Sequence, residues 1–167
     1  MQQQSGTVTG VGGGVMDLHD EYSLVASPRH PQAQKLLAFW NARAKDGIVI
    51  GRDVPSRSIA SLLSSVMVCE PVGGRRDFRV RLAGASLRGR FGCDIKGKLM
   101  SELFPPDDFR HHLRATLAAL AKDMPLIFDS RLTNGSVETL HVEVVVLPVL
   151  PADRGGKWAL AGFFYFD

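Results

Sequence analysis

The chain has 167 residues, of which 45% are apolar and 22% charged, and its formal net charge is +3. That length can bury one substantial core without disulfides or a structural metal, and so mild a positive charge does not by itself indicate nucleic acid. Cys69 and Cys93 are the only cysteines; they offer neither a disulfide framework nor a zinc-ligand pattern and fit a reducing, cytoplasmic setting.

Residues 1 to about 28 carry glutamines and a glycine cluster at 10 and 12–14, with few large apolar side chains. Such a segment cannot offset its ordering entropy, so a disordered tail over 1–28 is expected. It lacks the basic-then-apolar pattern of a targeting signal. The apolar runs from Val144 to Leu150 and from Trp158 to Phe166 are too short for a membrane span, so no membrane insertion is expected.

An amphipathic helix is predicted within 29–50, from Pro31 to about Asp46. Proline suits its first position and Gly47 its stop. Leu36, Leu37 and Trp40 share an apolar face that Phe39 widens. The folded domain is expected over 51–167. Val66 to Glu70 and Phe78 to Leu82 read as strands joined by the glycine turn at 73 and 74. In the second, Phe78, Val80 and Leu82 share one face by alternation, and Arg79 and Arg81 the other. Ala85 to Phe91 is a short helix, Ser101 to Phe104 a capped turn, and Pro105 to Lys122 a longer helix with acids at its positive end. Three further strands follow: Pro125 to Thr133, Thr139 to Val149 and Trp158 to Phe166. Asn134-Gly135 forms the first turn between them. On the second, His141 and Glu143 share a face. Two strands, a helical crossover and a three-strand meander make an α+β fold: a five-stranded antiparallel sheet with an N-terminal amphipathic helix.

This element order resembles that of PAS domains. Arg81-Leu82-Ala83-Gly84, the segment from Phe91 to Gly97, and Leu103-Phe104-Pro105-Pro106-Asp107-Asp108-Phe109 are similar to the family's strand end, short-helix closure and long-helix start. Phe39-Trp40 and Arg52-Asp53-Val54-Pro55-Ser56-Arg57 resemble the leader of a bacterial family of small, stand-alone PAS proteins. The resemblance implies a sensory or regulatory module in signal transduction, acting through protein contact. No output segment accompanies it, so a signalling partner protein is expected. The resemblance names no cofactor.

The candidate pocket residues are Met67, Phe78, Val80, Leu82, Leu87, Phe91, Met100, Phe104, Phe109, Leu113, Phe128 and Val144. They either line an adaptable cavity for a small apolar molecule or simply fill the core. Some PAS sensors hold haem through a histidine on the long helix. By helical geometry His111 should point to solvent and His112 should lie on the flank. A homodimer is expected through Leu36, Leu37, Phe39 and Trp40. Arg75, Arg76, Arg79, Arg81, Arg88 and Arg90 form a candidate basic patch for an acidic partner, nucleic acid being disfavoured by the lack of interleaved aromatics. Motifs for nucleophilic, metal or nucleotide chemistry are missing, so no enzyme is expected.

Overall fold

Apolar spacing in the chain alternates between strand and helix periods, and the elements follow it. The computed structural model describes residues 2–5, 8–9, 15–16, 18–134 and 137–167, with side chains over 22–132 and 140–167. Strands β1 (Gln2–Ser5), β2 (Val8–Thr9), β3 (Val15–Met16) and β4 (Leu18–Leu24) come first, then helix α1 (Pro31–Arg43) and a 3-10 segment (Arg57–Ser65). The hairpin β5 (Val66–Val72) and β6 (Asp77–Ala83) leads into α2 (Ala85–Phe91), α3 (Met100–Leu103) and α4 (Pro106–Lys122). The meander β7 (Leu126–Asn134), β8 (Val137–Val149) and β9 (Trp158–Tyr165) completes the chain.

The sheet is antiparallel, in the order β1-β4-β7-β8-β9-β5-β6. Its five strands from β7 to β6 are those the sequence predicts. Both sheet faces are covered. On the inner face, α2, α3 and α4 close over Phe78, Val80, Phe128, Val144 and Phe163. On the outer face, α1 and the 3-10 segment bury Leu36, Phe39, Ile59 and Leu62 against Val145, Leu147, Leu160 and Phe164. Double coverage explains why β8 is apolar almost without alternation: residues 142–149 are all buried.

Four expectations change. Residues 18–24, assigned by composition to a mobile tail, form β4, which pairs with β7 from Leu18↔Asn134 to Leu24↔Phe128. Tyr22 on it is 6% exposed. The strand covers what would otherwise be the open edge of β7, a tertiary gain that composition does not register. The glycines at 10 and 12–14 lie outside the described residues. Second, α1 ends at Arg43, and Gly47 closes the following turn with φ +79° and an N–H donated to the Arg43 carbonyl. Third, Leu36 and Phe39 are 0% and 5% exposed because α1 lies on its own sheet. They are core residues of this chain and cannot form a dimer face; only Leu37 and Trp40 stay partly exposed. Fourth, Leu82 is exposed at 37%. The β5–β6 register shifts between Val68 and Cys69, so that Val68 faces Leu82 while Cys69 faces Val80. This bulge at Arg81 turns Leu82 off the core face.

Candidate functional site

Eleven of the twelve predicted pocket residues converge on the inner face, and they fill it. Met67, Phe78, Val80, Leu87, Met100, Phe128 and Val144 are buried in one cluster, with Phe91, Phe104, Phe109 and Leu113 packed around them. The rings interlock. Phe91 meets Phe104 edge-on at 5.5 Å and Phe163 at 6.3 Å. Among the described residues, clefts of about 390, 210 and 500 Å³ lie at the surface, and of the predicted pocket residues only Leu87 lines one of these three.

Both histidines of α4 turn inward, against the expectation from the helical wheel. The stripe of α4 that meets the sheet is His112, Ala115, Thr116, Ala119 and Leu120. This is a 3.6-residue pattern built from small residues, which lets the helix approach closely; Phe109, Leu113 and Leu117 only flank it. His112 stacks on Phe104 at 4.0 Å and meets Phe128 at 5.3 Å. Burial pushes its pKa down to about 3, so the ring is neutral. His111 stacks on Tyr22 at 3.7 Å, and burial lowers its pKa as well. The Tyr22 hydroxyl donates to Asp108. These residues do not fit a haem. The ring of His112 packs against Phe104, Phe128 and Phe163 and lines none of those three clefts.

A second cluster fixes the start of α1 to the outer sheet face. Glu143, 0% exposed, accepts backbone N–H bonds from Arg29 and His30, all at 3.0 Å. Asp129 stands directly opposite on β7, and the Arg29 guanidinium bonds it at 2.5 Å. His141 Nε2 lies 3.5 Å from the same Asp129 oxygen. The His30 ring accepts from the Gln32 N–H through Nδ1, which leaves the proton on Nε2 to donate to the Tyr165 carbonyl. His141 and Glu143, which share a strand face by alternation, thus serve this anchor separately: Glu143 holds Arg29 and His30, and His141 lies beside Asp129. Arg29, His30 and Asp129 were missed by sequence reasoning, although an acid inside each of two buried apolar strands was a readable signal.

A family model for the PAS domain matches residues 28–164, and its span begins at this anchor and ends in β9. The chain belongs to the PAS domain family. No curated protein and no solved structure matches it. PAS domains are typically sensory and regulatory signalling modules rather than catalysts.

Around the PAS core, the six predicted basic residues do not form one free surface. Arg79 donates to the Gly97 carbonyl, Arg81 pairs with Glu70 at 3.3 Å, and Arg90 lies 3.8 Å over the Tyr165 ring. Arg75, Arg76 and Arg88 are exposed. Both cysteines are free; Cys93 is exposed, whereas burial pushes the Cys69 thiol up to about 12. Among the described residues, no group of three His, Cys, Asp or Glu side chains is placed to hold a metal ion. No described helix is long and apolar enough to cross a membrane.

Proposed function

We propose that this PAS domain is a cytoplasmic signal-transduction module whose output is a protein contact on the outer flank of α1, with a second copy of the chain as its first partner. The observation that carries this reading is the docking of α1. Its start is bonded to Glu143, and its inward face, Ala33, Leu36 and Phe39, is buried on the outer sheet. Beside that face Leu37 and Trp40 remain partly exposed apolar side chains on a rigid element. The filled interior supports a surface output over one made by a ligand deep in the core.

The test is light scattering of the parent and of the double variant Leu37→Glu, Trp40→Glu, with circular dichroism to establish folding. A dimeric parent and a folded monomeric variant are expected. A monomeric parent, or a dimer that survives both charges, overturns the assignment. A second reading, a sensor whose ligand site is its main function, draws on the 390 Å³ cleft beside Arg90. An acidic partner would meet Arg75, Arg76 and Arg88, which are exposed.

A further inference from the structure

The largest of the three clefts, about 500 Å³, runs between β4 and α4. β4 pairs with β7 up to Leu24↔Phe128, so Tyr22 and Leu24, which share a face by alternation, extend the sheet face that α4 covers. The α4 wall of the cleft is built on Ala115 and Ala118, whose short side chains leave a trough beside the strand. Tyr22 and His111, stacked at 3.7 Å, form the end nearer the start of α4; Lys122 and Leu126 form the end at its last turn. From Arg114 to Lys122 the wall is about 12 Å long at the helical rise per residue.

Its floor is apolar and open. Leu24 is 76% exposed, and Ala118 and Leu126 are partly exposed. Met124, on the turn between Lys122 and Leu126, is 57% exposed and continues the apolar surface. The charge is of one sign. Arg114 and Lys122 line the cleft, and no carboxylate does among the described residues. The negative groups at the end of α4 are already met: the Lys157 ammonium pairs with Asp123 at 3.2 Å and donates to the Leu120 carbonyl at 3.3 Å. Lys122 itself makes no ion pair or hydrogen bond among the described residues. Asp108, which accepts from the Tyr22 hydroxyl, repels an anion at the opposite end. A bound anion is therefore drawn to Lys122, with its apolar body running toward Tyr22.

We propose that this groove binds a free medium-chain fatty acid: Lys122 holds the carboxylate, and the alkyl chain lies over Leu24, Ala118 and Leu126 toward the Tyr22–His111 stack. A mostly apolar trough with a few charged groups at its rim is the make-up of a small-molecule site, and its volume is in the usual range. A flexible ammonium suits a carboxylate at a solvent-exposed rim, where no fixed fork is needed. The bound chain would tie the N-terminal strand β4 to α4. The site goes beyond the partner-contact reading and can fail separately from it, because α1 lies on the other face of the sheet and shares no residue with the groove.

The experiment is a titration of the ¹⁵N-labelled full chain with hexanoate, octanoate and decanoate below micelle formation, with acetate and octanol as controls. Saturable shifts should appear at the amides of Leu24, Ala118, Lys122 and Leu126, with those of Leu37 and Trp40 unmoved. Affinity should rise by about two- to fourfold for each added methylene. Ala118→Phe, a substitution at a partly exposed position, fills the trough and should weaken decanoate by about tenfold. Lys122→Gln should weaken it by about threefold. The site is overturned if none of the three acids saturates at millimolar concentration, if a folded Ala118→Phe chain keeps its affinity, or if the shifts centre on Leu37 and Trp40. Octanol binding as well as octanoate, or an unchanged Lys122→Gln variant, overturns the carboxylate. Acetate binding as well as octanoate overturns the alkyl chain.

Discussion

Removing the Glu143 carboxylate should release the start of α1 from the sheet. The two donors it satisfies, the N–H groups of Arg29 and His30, are fixed by the backbone geometry that opens the helix. With Glu143→Leu both lose their acceptor in a site sealed by α1, at about 1–3 kcal/mol for each buried unpaired group. One effect opposes this. Asp129 and Glu143 are directly opposed on neighbouring strands, so the variant also removes a repulsion worth about 0.2–1 kcal/mol. Donor loss wins, and a net loss of about 2–4 kcal/mol is expected. Glu143→Gln separates the terms. Oε1 accepts from both donors, so an amide oxygen placed there keeps both bonds; only the Arg29 contact to Oε2 is replaced, by an amide that cannot accept. Its cost should be nearer 1 kcal/mol.

Urea unfolding gives the global values, and hydrogen exchange locates the loss. Protection should fall in the first turn of α1, at residues 32–36, while β7 and β8 keep theirs. A Glu143→Leu variant within about 0.5 kcal/mol of the parent, or a Glu143→Gln variant that is the more damaging of the two, would refute the anchor.

Two further outcomes follow from buried groups. His112 has a folded pKa of about 3 against an ordinary value of 6.5, so below pH 6.5 the unfolded chain binds a proton that the folded chain refuses. Stability is therefore full above pH 6.5 and falls by up to about 1.4 kcal/mol per pH unit on acidification, levelling off near pH 3; between pH 6.5 and 5, before most carboxylates titrate, His112→Phe should show a clearly shallower slope in urea unfolding, and an unchanged slope would refute the assignment. Gly84→Ala places a Cβ 2.2 Å from backbone oxygen and must push α2 away from the 3-10 segment, at about 1–3 kcal/mol measured by thermal unfolding; a neutral variant would mean that the contact is not tight.

The five strands β7 to β6 and the crossover helices were legible because each rests on a local pattern: alternation in Phe78-Arg79-Val80, an apolar run in Val144–Leu150, acids at the first turn of α4. What was hidden depends on partners distant in sequence. Polar-looking residues 18–24 become a strand only because β7 offers an edge. His112 lies in the core because the stripe of α4 that approaches the sheet is the one with small residues, whereas a wheel weighted by side-chain size points to Phe109 and Leu113. Leu82 leaves the core through a single bulge, which shifts the face of every later residue in the strand. The same logic relocates the candidate site. A set of large apolar residues on one sheet face is what both a chamber and a filled core require, and here aromatic stacking among Phe91, Phe104, His112 and Phe128 fills the space. Accessible apolar surface gathers instead where β4 runs beside α4, at Leu24, Ala118 and Leu126. That position is set by the pairing of β4 with β7, and no short motif encodes it.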